Sequence, residues 1–255
     1  MLAIELSFST RTYRVFAGAS IQVVFRALMA RATNLRLSDG GTHMKLQGLK
    51  INFLGDSITE GHGTSDVANQ FTSLIASKHG AITRCYGIGG TRIARQTEPS
   101  ENFRHDLDFS SRVDEMDPDA DLVVVFGGTN DFGHGDAPFG DFSDRTVMTF
   151  CGALHVLYTM LLEKYPAADI VVLTPLHRST EAIPNRHGKV LQDYVDMIRR
   201  TAEYYSLPVL DLWATSGMQP AVPVMKETYM PDGLHPNDAG HVILANKIAR
   251  FIESL

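Results

Sequence analysis

From Met44 onward, short apolar runs alternate with longer stretches in which apolar residues return every three or four positions. Five runs have the length and composition of strands: residues 49–54 (LKINFL), 81–86 (AITRCY), 121–126 (DLVVVF), 169–174 (DIVVLT) and 207–212 (LPVLDL). LVVVF and IVVLT are apolar without alternation, as a strand covered on both faces of a parallel sheet requires. The spans 65–79, 104–116, 143–165, 187–205 and 238–254 read as helices. In the last of them Val242, Ile243, Ala245, Ile248, Ala249 and Ile252 make one apolar stripe. Strand and helix in strict turn predict an α/β fold, a doubly wound sandwich with right-handed crossovers.

A chain of 255 residues that is 44% apolar can fill one good-sized core. Its formal charge of −6, with no basic block, argues against nucleic acid or an anionic membrane surface as the main partner; a small neutral substrate fits better. Cys85 and Cys151 lie far apart without a pairing pattern, so two buried thiols in a reducing, cytoplasmic compartment are the expectation. No apolar run approaches the roughly 20 residues of a membrane helix, so no stable membrane insertion is expected.

Charge also divides the chain. Residues 1–43 hold five arginines against Glu5 and Asp39, a net +3, which leaves −9 of the overall −6 on the remainder. Such a step marks a boundary between a leader, 1–43, and a single domain, 44–255. An Arg-rich, acid-poor leader suits a targeting segment, which would make the protein secreted or targeted rather than cytoplasmic. The preferred expectation is that translation starts at Met44: Gly40-Gly41 can be encoded GGAGGU, a bacterial ribosome-binding sequence, with Thr42-His43 as the spacer. Residues 1–43 are then an upstream stretch or an expression leader.

In doubly wound sheets, ligands bind beyond the carboxyl ends of the strands. That rule selects the loops 55–63, 87–97, 127–142, 175–187 and 213–237. After the first strand, GDSIT places Ser57 at the mouth of the next helix, where free N–H groups and the positive dipole end favour a developing anion; a serine there can equally be a helix cap. YGIGGTR brings glycine amides close to a ligand. It lacks the third glycine of a dinucleotide fingerprint, and no H-E-x-x-H or paired ligand spacing occurs among the histidines, so neither cofactor nor metal is expected. GGTNDFGHG places the amide of Asn130 on the same rim. D-x-x-H occurs three times, as Asp131/His134, Asp232/His235 and Asp238/His241. Location separates them: Asp238 is a first-turn acid of the last helix, His134 lies in the solvent or substrate loop, and only Asp232/His235 sits in a constrained turn after the last strand.

Together these loops supply acyl transfer from an ester. Ser57 attacks, His235 takes its proton and returns it to the leaving group, and Asp232 fixes the ring's tautomer. Backbone N–H groups of Ser57 and of a second-loop glycine, with the Asn130 side chain, meet the oxyanion. A non-catalytic flavodoxin-like module binding phosphate or flavin at the Ser57 helix end explains GDSIT and the glycines, but leaves Asp232, His235 and Asn130 without a joint task.

The blocks GDSIT (Ser57), GIGGT (Gly90), GGTND (Asn130) and DGLH (Asp232, His235) occur in the order of the SGNH, or GDSL-type, hydrolases, which the chain resembles across residues 51–241. The resemblance implies a flavodoxin-like three-layer α/β/α sandwich with a five-stranded parallel sheet, and metal-free, lipolytic-type hydrolysis of esters or thioesters through a Ser57, His235, Asp232 catalytic triad. It assigns the oxyanion glycine to Gly90 rather than Gly89 or Gly87. The chain departs from the pattern at Cys85, where Asn is frequent, and at Arg92 after Thr91. Specificity is expected in three loops: 131–142, with Phe132, Phe139 and Phe142; 176–188, which is polar; and 213–231, with Trp213, Met218, Val222, Val224, Met225, Tyr229 and Met230. A mixed rim suits a short-chain or carbohydrate O-acetyl ester. A lysophospholipase or acyl thioesterase would use the apolar 213–231 loop as an acyl channel, and a homo-oligomer would bury it at an interface.

Overall fold

The computed structural model describes the backbone of residues 3–8 and 11–16 and the whole of residues 44–255. The chain divides into two compact units, residues 1–42 and 43–255. In the first, β1 (Ala3–Phe8) and β2 (Arg11–Phe16) pair antiparallel, with Ala3 opposite Phe16, a pairing that the sequence reading does not anticipate. The origin expected for residues 1–43 lies outside the described residues.

The second unit is built on five parallel strands, β3 (Lys50–Gly55), β4 (Ile82–Gly87), β5 (Leu122–Phe126), β6 (Asp169–Leu173) and β7 (Val209–Leu210), in the order β4-β3-β5-β6-β7. Each lies within a residue or two of its predicted span. β7 is the shortest, because Pro208 has no N–H to give the ladder and Asp211 already caps the helix that follows. Nine helices of the described residues follow in chain order: α1 (Ser57–Glu60), α2 (Phe71–His79), α3 (Phe109–Arg112), α4 (Thr129–His134), α5 (Phe150–Lys164), α6 (Leu191–Tyr204), α7 (Leu212–Thr215), α8 (Pro223–Tyr229) and α9 (Asp238–Glu253).

Alternation along the strands distributes side chains between two cores. Val123 and Val125 of β5 enter one core with Phe109, Leu154, Leu157, Tyr194 and Ile198 from α3, α5 and α6. Leu122, Val124 and Phe126 enter the other with Phe71 and Ile75 of α2 and Leu244, Ile248 and Ile252 of α9. All five residues of β5 are buried, as its unbroken apolar run requires. β4, at the sheet edge, is half open, so Cys85 is exposed instead of buried, while Cys151 on α5 is buried as expected. Among the described residues no helix is long and apolar enough to cross a membrane.

Four predicted helices begin later or break: the 187–205 span starts at Leu191, and the other three change at a side chain that competes for backbone donors. The 65–79 span becomes a short 3-10 turn at Val67–Asn69, capped by Asp66, before α2. The 104–116 span is interrupted at Asp108, whose carboxylate accepts from the Ser111 amide and starts α3 afresh. In the 143–165 span Asp144 accepts from the Asp141 amide and the Thr149 hydroxyl, and Thr149 then caps α5. The register sets Gly55 opposite both Gly87 and Phe126, so the loops after β3, β4 and β5 leave from one rim.

Phe71 is fully buried and meets Phe53 at 5.5 Å and Phe126 at 6.4 Å between ring centroids. Phe71→Ala is expected to cost about 3–5 kcal/mol, read from urea denaturation, whereas Val224→Ala on exposed α8 should stay within about 0.5 kcal/mol. Equal effects from the two would contradict this placement of the core.

Candidate active site

β3 ends at Gly55, where a side chain would run into Thr59 and the carbonyl of Phe126, so only glycine allows the chain to turn this tightly into α1. The cap of α1 is Asp56, not Ser57: its Oδ1 accepts from the Ile58 amide at 3.0 Å. The Ser57 hydroxyl is thereby released from capping. Its Oγ lies 3.0 Å from Nε2 of His235, on a residue that is only 7% exposed. Burial pushes the Asp56 carboxyl up to about 7, partly offset by the Ile58 amide.

The turn 231–235 is held by Asp232. Oδ1 accepts from the amides of Leu234 (2.8 Å) and His235 (2.7 Å), and Oδ2 accepts Nδ1–H of His235 at 2.6 Å. Gly233, at φ +78°, lets the turn press against Ser179, whose amide donates to the Gly233 carbonyl at 2.8 Å. Desolvation raises the Asp232 pKa, but the His235 ring and the two amides outweigh it and hold the carboxyl below its ordinary value. Desolvation also lowers the His235 pKa; Asp232 opposes this, and His62 and Arg178 add to it. The His62 ring lies 4.3 Å from the His235 ring, centroid to centroid, which gives His62 a place in the site that sequence left unassigned. His235 is therefore a neutral imidazole at neutral pH, with Nδ1–H on the carboxylate and the Nε2 lone pair toward Ser57.

The loop after β4 passes over Ser57: a Cβ on Gly89 would stand 3.6 Å from that of Ser57. The Gly89 amide is taken by Glu60 Oε2 at 2.6 Å. The amide of Gly90, at φ +77°, has no partner among the described residues. Asn130, on α4, is buried and donates Nδ2–H to the Thr91 carbonyl at 3.0 Å, next to Gly90. Its neighbour Asp131 accepts from the amides of Ile93 (3.0 Å) and Ala94 (2.9 Å), with its own carboxyl pushed up to about 6 by burial. The sequence-predicted residues Ser57, His235 and Asp232 thus form one hydrogen-bonded chain, while Gly90 and Asn130 meet through Thr91.

Sequence reading missed Arg112, which lies inside a predicted helix with nothing in its neighbours to single it out. Its buried guanidinium donates to the carbonyls of Tyr86 (2.5 Å), Gly55 (3.1 Å) and Leu107 (3.1 Å) and to Thr91 Oγ1 (3.2 Å). Arg92, one of the departures from the family pattern, donates to Ser100 and to the His105 and His134 carbonyls, and Cys85 donates its thiol to the Thr59 carbonyl. Arg178, from the loop after β6, donates to the Thr129 carbonyl and hydroxyl and lies over Phe132.

Several expected rim residues are packing residues. Phe132 is buried against Tyr194, Phe139 packs on Phe150 and Tyr194, and Phe142 lies against His155 and Arg200. Met218 and Met230 belong to the core, which leaves Val222 and Val224 exposed in the 213–231 loop. His155 is fully buried with Nδ1 beside the Tyr205 hydroxyl. Asp238 receives Ser65 and Asn69, and His241 is buried with Nδ1 accepting from the Phe71 amide. Among the described residues no three His, Cys, Asp or Glu side chains converge as metal ligands would.

Residues 53–243 match the sequence profile of the GDSL-like lipase/acylhydrolase family. A GDSL lipase of Mycobacterium tuberculosis is 28% identical over 137 residues, 54% of this chain and 52% of the relative. The chain therefore spans about half the length of that curated relative. A solved protein from Lactobacillus plantarum is 30% identical with a TM-score of 0.71, over 82% of this chain and 98% of its own. A mutant acetyl-xylooligosaccharide esterase from Geobacillus stearmophilus shares the fold, with a TM-score of 0.58 and 22% identity over 82% of this chain and 96% of its own.

Because desolvation and His62 both lower the His235 pKa, its ring should titrate in NMR with a midpoint below the ordinary value of about 6.5. His62→Asn should move that midpoint upward. A midpoint that stays fixed in the variant would show that His62 exerts no electrostatic influence on the ring.

Proposed function

The chain belongs to the GDSL-like lipase/acylhydrolase family, and from that premise we propose that it is a serine esterase acting on a short-chain or carbohydrate O-acetyl ester through an acyl-enzyme on Ser57. The observation that carries this reading is the unbroken relay from Ser57 Oγ to His235 Nε2 and from His235 Nδ1 to Asp232 Oδ2.

In the first half-reaction Ser57 Oγ forms a bond to the ester carbonyl carbon as its proton passes to His235 Nε2. The imidazolium is stabilised by Asp232, whose Oδ2 accepts from Nδ1–H while that proton stays on the ring throughout. The carbonyl oxygen, now an oxyanion, is met by the amides of Ser57 and Gly90 and by the second Nδ2–H of Asn130. Each such donor contributes about 2.7–4 kcal/mol of transition-state stabilisation. Collapse breaks the bond to the leaving alkoxide, which takes the proton from His235. Water then repeats the sequence on the acyl-enzyme, with His235 as base, and restores Ser57.

The substrate class is supported by what the rim offers. With Phe132, Met218 and Met230 in the core and Phe139 packed against it, few apolar side chains remain to line a long acyl channel. His177, bound to Glu181 and tilted against Trp213 with ring centroids 3.9 Å apart, makes an aromatic and polar wall of the kind that suits a sugar. The Geobacillus protein of the same fold is an acetyl-xylooligosaccharide esterase, which agrees with this choice. A lysophospholipase or acyl thioesterase is the second reading, favoured by exposed Val222 and Val224.

A fluorophosphonate probe should form an adduct on Ser57, and Ser57→Ala should abolish both labelling and hydrolysis. Nitrophenyl esters should be turned over best at acetyl or propionyl, with acetylated xylooligosaccharides also cleaved. A preference for acyl groups of C8 or longer would favour the lysophospholipase or thioesterase reading, and undiminished hydrolysis by Ser57→Ala would defeat both.

A further inference from the structure

We propose that His134 is a positioning residue for Asn130: its Nε2–H, donated to Oδ1, holds the amide with one Nδ2–H directed at the oxyanion. This rests on the reading of Asn130 as an oxyanion donor.

The two ends of an amide have the same shape, and their partners decide which is which. One end of Asn130 lies 3.0 Å from the Thr91 carbonyl oxygen, which can only accept, so that end is Nδ2. The reverse orientation would set two acceptors against each other. Oδ1 then faces His134 Nε2 at 3.1 Å, and the imidazole nitrogen must carry the hydrogen. Residues 130 and 134 stand one turn apart on α4, the spacing that brings two side chains together on a helix. The Gly135 amide closes the turn onto the Asn130 carbonyl at 2.9 Å. Arg92 reaches the His134 carbonyl from the loop that carries Thr91, so the same loop secures both ends of the contact.

The Arg92 and Arg178 guanidiniums act on the ring, and the His105 ring lies 6.2 Å from it, centroid to centroid. With desolvation as the larger cause, they hold the His134 pKa below its ordinary value. The neutral Nε2–H tautomer and the imidazolium both carry a hydrogen at Nε2, so the contact survives titration of the ring. A donor on Oδ1 draws electron density from the amide and strengthens its remaining N–H. It also removes the rotation that an amide held at one end retains. Both effects bear on charge that develops only in the transition state, so they act on kcat more than on KM.

The test uses the full chain with nitrophenyl acetate. His134→Phe keeps a ring and removes the donor; His134→Gln returns an N–H. His134→Phe should lower kcat about 5- to 10-fold, the worth of one hydrogen bond, with KM within about twofold, and His134→Gln should recover most of the loss. In an Asn130→Ala background the His134→Phe substitution should change kcat by less than about twofold, because the contact acts through the amide. The acid limb of the pH–rate profile, set by His235, should not move. An equal loss in both backgrounds, no loss in the native background, or a Gln variant as slow as the Phe variant overturns the proposal. Ser57→Ala is measured alongside: activity surviving in it removes the esterase reading itself, whereas activity lost there with His134→Phe unimpaired removes the positioning role alone.

Discussion

One buried guanidinium holds the loops of the site to the ends of the sheet. Arg112 donates to carbonyls at the ends of β3 and β4 and to the hydroxyl that follows Gly90. A cation taken out of water is tolerated only where its donors are matched, and here Nε and both terminal nitrogens find acceptors. Desolvation draws its pKa down to about 10, with Asp56 and Asp108 opposing, so it stays charged at neutral pH. The Ser57 loop and the Gly90 loop therefore cannot shift independently. Asp131 fixes the neighbouring stretch from the other side through two amides, and α4 with Asn130 is secured by the same contacts.

The same dry environment sets the protonation of the site. Desolvation is the leading cause at Asp56, Asp131, Arg112 and His235, in each case favouring the neutral form. Asp232 feels it too, but three hydrogen bonds to its carboxylate reverse the outcome. An ionised acid thus stands behind a neutral base, the distribution that proton transfer from Ser57 needs. Electrostatic interactions in such surroundings are stronger than in water, so the alignment of each donor carries more weight than its number.

How much of this could be read from the chain depends on whether the signal was local. The apolar runs of β5 and β6 announce buried strands because each residue reports its own environment. The four loop motifs were legible because the glycines and short polar residues that make tight turns are distinctive. Helix boundaries were less so: Asp108, Asp144 and Thr149 end or start helices by capturing backbone amides, which composition does not reveal. Phe132, Phe139 and Phe142 looked like a substrate wall because an aromatic residue in a loop reads the same whether it faces solvent or Tyr194 and Arg200. Arg112 and the partnership of His134 with Asn130 were invisible for a different reason, since both are contacts made only after the loops have assembled.

The cap on α1 belongs to Asp56 while the hydroxyl that meets His235 belongs to Ser57. Adjacent residues thereby divide scaffold from reactivity, and neither duty constrains the other. A lineage could lose the serine and keep the helix, the loops and the cleft intact. Such a descendant would keep the Asp56 cap of α1 and lose only the hydroxyl that faces His235.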